Sequence, residues 1–303
     1  MRRKFTTISA IAVAFSLTCF CEFSLAQDNT WQDKPAKSYK SYNSFKAPLI
    51  EDNSFFVEEA FNQSAGVIQF ISTCYFDNIN SRNLIYSFTQ EIPLQDVKHQ
   101  ISYTINYIAL NAQSPGLQGL GDFMVNYRYE LKGKDDWALI TPRFSLIIPT
   151  GDFRKGFGSG AWGGQFNLPI TKMVSNRLVF HYNTGFTFLK DAQFALSDAT
   201  SENEVKHKHL TGINLGASMI WMPADKLNLM LEYVSNINDS FNETGQVNKG
   251  HQLVLNPGLR YAFDIGKCQI VPGISIPVAI EKNTRQPGAF IYLSIEPNYN
   301  IKK

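Results

Sequence analysis

From residue 66 to residue 298 the chain repeats a single device, and the device is that of a β-strand. In "DFMVNYRYEL", residues 122 to 131, Phe123, Val125, Tyr127, Tyr129 and Leu131 share one parity, while Asp122, Asn126, Arg128 and Glu130 share the other. Successive side chains of a strand point to opposite faces, so this stretch has one apolar face and one charged face. About twelve such segments follow one another, at 66–77, 82–92, 98–110, 119–131, 137–149, 162–174, 177–189, 209–222, 226–236, 251–264, 268–280 and 289–298, with no amphipathic helix between them. At roughly 10 to 14 residues they exceed the usual strand of about 5 to 6 and match the ~9 to 11 needed to cross a bilayer.

Local alternation does not say which face meets water. In a soluble sandwich the apolar face would be the core, whereas in an outer-membrane barrel it would meet lipid and the polar face would line the lumen. The N-terminus favours the second reading. Arg2, Arg3 and Lys4, the apolar run Ile8 to Phe20 and then Ser24-Leu25-Ala26 have the charged, apolar and small-residue order of a secretory signal peptide, with cleavage expected after Ala26. The segment removed takes three of the 28 basic residues and one of the 26 acidic ones, leaving a mature chain with equal numbers of each. Such a chain has no electrostatic case for binding nucleic acid. It also has no apolar run near the ~18 residues of a spanning helix, so any membrane crossing must be made by a closed barrel.

The connections alternate in length as an up-and-down barrel requires, except that the first loop, near 78–81, is short where its place calls for a long one. Lys132-Gly133-Lys134-Asp135, Ser175-Asn176, Pro223-Ala224-Asp225 and Ile265-Gly266-Lys267 are tight, and between them lie longer loops around 111–118, 150–161, 190–208, 237–250 and 281–288. Short periplasmic turns and longer extracellular loops are the rule in such barrels. Aromatics of the apolar face fall where the two interfaces should be: Tyr129, Trp221, Tyr261 and Phe263 near the short turns, and Tyr107, Phe123, Phe186 and Phe188 near the long loops. Residues 27–60 are polar and irregular and read as a periplasmic lead-in or a plug, with the barrel taking up 61–303.

The polar parity supplies the candidate lumen-lining residues: Gln100, Thr104, Asn126, Arg128, Arg143, Ser145, His181, Asn183, Glu232, Asn256 and Arg260. Charges in a lumen can select solutes by sign and size. The same side chains could instead pair with one another and fill the interior, since twelve strands enclose far less space than the ~16 to 18 of open porins.

A family resemblance rests on particular runs. Gly119-Leu120-Gly121-Asp122 opens a strand, "LIIPTGD" from Leu146 to Asp152 closes one, and the Gly-rich stretch Gly156 to Gly164 leads into an alternating hairpin ending at Thr187-Phe188. With these pieces the chain resembles the outer-membrane transporters named for the MetA pathway of phenol degradation, and a looser likeness spans about 55–300. The resemblance implies transport across the outer membrane, with aromatic solutes attached through the family's name. The ending "PNYNIKK" departs from the terminal aromatic common in barrel proteins, and no substrate-specific motif carries over.

Catalytic and metal chemistry find weaker footing. Gly158 to Gly163 matches GxGxxG literally, yet it precedes a strand and offers no helix N-terminus for a pyrophosphate, so it reads as a flexible loop. His207 and His209 flank Lys208 near Glu202 and Glu204, a pattern that a solvated charged loop also produces. His181 could act as a base, but no serine is singled out by spacing. Cys74 and Cys268 fall on the first and eleventh segments, which are not neighbours in a barrel closed by the first and twelfth, so no disulfide between them is expected. The expectation is an all-β, transmembrane up-and-down antiparallel β-barrel in the outer membrane of a Gram-negative cell, with no cofactor. Its partners would be membrane lipid, a small-molecule solute and the barrel insertion machinery. The alternatives are a closed structural or adhesive barrel and a secreted β-sandwich.

Overall fold

The computed structural model describes residues 45, 48–78, 83–94, 97–110, 117–133, 136–195, 205–281 and 284–297. The expected signal peptide lies outside the described residues. Twelve strands follow one another in chain order. They are β1 (Gln69–Phe76), β2 (Leu84–Leu94), β3 (His99–Ala109), β4 (Gln118–Leu120, resuming as Phe123–Tyr129), β5 (Leu139–Ile140, resuming as Arg143–Ile148) and β6 (Gly163–Ser175). The second half comprises β7 (Leu178–Ala195), β8 (Val205–Ala224), β9 (Leu227–Phe241), β10 (Val247–Tyr261, resuming as Phe263–Ile265), β11 (Cys268–Ser275, resuming as Val278–Glu281) and β12 (Thr284–Pro287, resuming as Ala289–Pro297).

Each strand pairs antiparallel with the next, and β1 pairs with β12 from Phe70↔Ile295 to Phe76↔Ala289. The sheet therefore closes on itself and leaves no edge with unpaired backbone groups, the condition for a sheet to sit in lipid. The faces are inverted relative to a soluble core. Arg128, Arg260, Gln100 and Glu232 are buried on the inside, while Phe144, Leu146, Leu231, Tyr233, Leu255 and Leu259 are exposed on the outside. In "DFMVNYRYEL" Asn126 and Arg128 are buried and Tyr127 is exposed. The apolar face of that stretch thus meets lipid, and the outer surface is that of a membrane-spanning barrel. Among the described residues no helix is long and apolar enough to cross a membrane; the crossing is made by strands.

Two of the expected extracellular loops are largely strand. β7 and β8 stay paired out to Ala195 and Val205, and β9 and β10 out to Phe241 and Val247. Above the bilayer both faces of a hairpin meet water, so the period-two signature that marks a membrane strand is absent there. A bulge between Lys208 and Leu210 places Asp191 at φ 56°, where the pair Asp191–His209 (3.4 Å) forms.

The loop between β5 and β6 is likewise held in place. Asp122, the last residue of the "GLGD" run, accepts from the backbone N–H of Gly151 (3.0 Å) and of Ser159 (2.8 Å) and from the Ser159 hydroxyl (2.7 Å). Thr150 of "PTGD" donates to the Gly121 carbonyl and accepts from the Phe123 N–H, both at 3.0 Å. A Cβ at Gly158 would collide with the Asp122 carboxylate. The two motifs are therefore halves of one latch, which folds the Gly-rich loop against the barrel and buries Phe157. That loop leads into β6, as read from the sequence, but bonds to a charged acceptor hold it where flexibility was expected.

Cys74 pairs across to Ile291 and Cys268 to Pro297, so β12 lies between the two cysteines and several residues of rise separate them along it.

Candidate functional site

The wall alone does not fill the barrel; the chain ahead of β1 enters it. Pro48, Leu49 and Glu51 on the way in, and Asn62, Gln63, Ser64 and Val67 on the way out, line a cavity of about 550 Å³ at the short-turn, periplasmic end. Phe56 and Glu58, at the apex of this re-entrant segment, line a second cavity of about 530 Å³ towards the long-loop end. The wall itself begins at Gln69, so residues 61–68 belong to the segment and its return.

A chain without a strand partner must place its backbone hydrogen bonds elsewhere. Here side chains of the wall take the place of a neighbouring strand. Glu232 accepts from the N–H of Phe56 and of Val57, both at 3.0 Å; Asn183 accepts from the Glu58 N–H (2.8 Å) and donates to its carbonyl (2.7 Å). Thr171 accepts from the Ala60 N–H (2.9 Å), Thr141 donates to the Ala60 carbonyl (2.6 Å) and Gln100 accepts from the Gln63 N–H (2.7 Å).

All three inward arginines grip the segment. Arg128 donates to the Glu59 carbonyl, and Arg260 to the carbonyls of Asn53 and Asp52. Arg143 holds the Glu58 carboxylate bidentately, Nε to Oε2 at 2.9 Å and Nη2 to Oε1 at 2.6 Å. Apolar contacts complete the seat. The Phe55 ring lies 5.3 Å from that of Phe290 and 5.6 Å from that of Tyr292, and a Cβ at Gly258 or Gly273 would strike it. Phe61 packs in a layer with Leu139, Met173, Val179, Ile220, Met222 and Met230. That inner apolar layer, at the periplasmic end of β5 to β9, was not anticipated from a polar lumen.

The other sequence candidates stand on the same inward face. Asn126 donates to Ser102 (3.2 Å) and accepts from Arg143 (3.0 Å), and Arg143 also donates to Ser145. Thr104 bonds Thr89 across β2 and β3 at 2.9 Å, and Asn256 donates to Glu232 at 2.6 Å. His181 is buried, its Nδ1 2.7 Å from Thr171 Oγ1, with Phe61 edge-on to its ring. Sequence reasoning passed over Gln69, Glu91, Glu296 and Ser218. Ser218 bonds Ser54 at 2.7 Å, Gln69 donates to Asp52, Ser294 and Glu296, and Glu91 accepts from Gln100. β1 and β12, which carry Gln69 and Glu296, lack a clean alternation. His207 and His209 fall on β8, and among the described residues no group of His, Cys, Asp and Glu is arranged to hold a metal.

Glu232 offers a test of the seat. Its Oε1 serves two backbone N–H groups, so Glu232→Ala strips both at once, at about 1.5 to 3 kcal/mol for each bond to a charged acceptor. Amide exchange across residues 55–62 is expected to rise by about two orders of magnitude in that variant while the strands stay protected. Glu232→Gln should change it little, because Oδ1 of Asn256, which has no hydrogen-bond partner among the described residues, can accept from the new amide once Asn256 flips.

Fold and interior define a class, the outer-membrane β-barrel, here with its own N-terminal segment threaded through the lumen. The chain belongs to the family described as "Putative MetA-pathway of phenol degradation", whose model matches residues 50–293. Among solved structures it is similar in fold to the COG4313 outer membrane channel from Pseudomonas putida F1, at 10% identity and a TM-score of 0.55, covering 78% of this chain and 97% of that one. The NanC porin (8% identity, TM-score 0.49, 76% and 98% covered) and the KdgM porin (10%, 0.46, 77% and 99%) resemble it more distantly. Comparison with curated proteins finds no match.

Proposed function

We propose that this protein is a gated outer-membrane channel through which small solutes pass passively, and that residues 50–64 are its gate. The observation that carries the reading is the pair of cavities, about 530 and 550 Å³, opening at opposite ends of one barrel and divided by that segment. Passage requires the segment to leave its seat. Lipid contacts the apolar exterior, and the insertion machinery of the outer membrane acts on it during assembly. Apolar or aromatic cargo is supported only by the family's name; this chain's likeness in fold to an outer membrane channel supports transport more generally.

A closed structural barrel is the second reading, favoured by the number of bonds that seat the segment. Against it stands the incompleteness of the seat: both carboxyl oxygens of buried Glu59 and Oδ1 of buried Asn62 have no hydrogen-bond partner among the described residues. An unsatisfied buried polar group costs about 1 to 3 kcal/mol, which lowers the work of release. Two further observations support a non-enzymatic role. Inside the barrel His181 is tied to Thr171, and on the outward face no described group orients the imidazole of His251, whose Nε2 meets Ser235 Oγ at 2.9 Å. A catalytic base requires such an orienting partner.

Bilayer conductance of a chain lacking residues 50–62 tests the reading. Discrete, frequent steps are expected from that chain, against a largely closed wild type. A correctly folded deletion that stays silent would leave the structural barrel as the account.

A further inference from the structure

The outer cavity has a chemistry of its own, and it differs from what the family's name suggests. Its wall, which also takes in Leu189, Leu210, Leu215 and Val234, carries two stacked polar rows that run across adjacent strands in register. One row is Asn167↔Gly185↔Asn214↔Asn236, from β6 to β9. The next row outward is Gln165↔Thr187↔Gly212↔Asn238 on the same strands. Each row contains one glycine, and a Cβ there would collide with a neighbouring amide: Gly185 with Asn214 Oδ1, Gly212 with Asn238 Oδ1. The gaps let the amides spread over the wall. Below them, Phe56 and the Glu58–Arg143 pair form the floor.

We infer that this vestibule is a binding site for a neutral, polyhydroxylated solute of saccharide type, held by the two amide rows above the Phe56 ring. Three observations select that class. The amides have capacity to spare: Asn236 and Asn238 make no side-chain hydrogen bond among the described residues, and Asn214 meets Asn167, which also bonds Glu58, only at 3.4 Å. Each amide offers both donors and acceptors, which matches hydroxyl groups that are donor and acceptor at once. The floor has no spare cation for an acid, because Arg143 is spent on Glu58, Asn126 and Gln165, and the carboxylate of Asp239, which also lines the cavity, accepts from Thr211. A phenol, with one hydroxyl, would leave most of the amides unpaired, and a site built to hydrogen-bond discriminates strongly against a ligand that cannot reciprocate. The cavity's 530 Å³ also falls within the ~300 to 1,000 Å³ of small-molecule sites.

The inference rests on the channel reading in taking this cavity as the outer entrance, but its test does not require the gate to open. Equilibrium dialysis of the detergent-folded full chain against sucrose, sodium benzoate and phenol reads the class directly. Saturable sucrose binding without saturable benzoate or phenol binding is expected, together with a roughly tenfold weaker affinity for sucrose in Asn214→Leu/Asn236→Leu, the loss of about two hydrogen bonds. Heat-modifiable gel mobility reports whether that variant is folded. The inference is overturned if folded wild type shows no saturable sucrose binding, if benzoate or phenol binds in its place, or if the folded double variant binds sucrose as wild type does. The wild-type selectivity stands as a test even if the variant fails to fold. A silent deletion barrel would sink the channel reading and leave this result untouched.

Discussion

Arg143→Glu opens the barrel. In the wild type the guanidinium holds Glu58 through two bonds of 2.9 and 2.6 Å, its side chain only 11% exposed, and it also bonds Asn126 and Gln165. Reversal sets two carboxylates against each other with Arg128 the further cation near them, and losing hydrogen bonds between charged groups costs about 1.5 to 3 kcal/mol. Since ~1.4 kcal/mol is a factor of ten, the released state of the segment gains roughly one to two orders of magnitude in population. Single-channel recordings are expected to show frequent openings that favour cations, because Glu91, Glu232 and Glu296 then outweigh Arg128 and Arg260 inside. The swap Glu58→Arg with Arg143→Glu restores the pair and should restore closure. Openings in the swap as frequent as in the single variant would show that the pair does not hold the gate.

Much of the wall was legible because lipid outside and polar groups inside impose a two-residue period on every membrane strand, as in Phe144, Leu146 and Ile148 against Arg143 and Ser145. The period disappears where that contrast does. Lys206, His207 and Lys208 are strand, but water covers both of their faces. The run Met219-Ile220-Trp221-Met222 is apolar on both parities because Trp221 meets lipid while Ile220 and Met222 meet Phe61. An unbroken apolar run in an otherwise alternating barrel is thus a sequence signal for something packed inside.

The segment inside the barrel was harder to read than the wall. Residues 27–60 read as a lead-in or plug by their irregularity, but no pattern rule pairs a backbone with side chains scattered over seven strands. A charge argument comes nearer. The candidate interior read from the sequence held Arg128, Arg143 and Arg260 against Glu232 alone, and an uncompensated interior calls for acids from elsewhere. Asp52, Glu58 and Glu59 lie just upstream, and the structure brings the segment that bears them to those same arginines. Of the interior glutamates, Glu296 sat on the twelfth segment, where parity was harder to read, and Glu91 on the second was passed over. The latch motifs were visible as motifs; their joint role was not, because Asp122 and Ser159 lie 37 residues apart.

The most direct test fixes the segment in its seat. A Cβ on Gly216 would lie 3.1 Å from Cγ2 of Val57, which brings the two Cβ positions within disulfide reach. Val57→Cys with Gly216→Cys, placed in the Arg143→Glu barrel after Cys74 and Cys268 are changed to serine, can be oxidised and reduced while the bilayer is recorded. The account predicts silence when the bond is formed, verified by mass, and the return of discrete steps on reduction. Steps that persist through the oxidised barrel would mean that solutes take a path the segment does not obstruct, and the gate assigned here would be wrong.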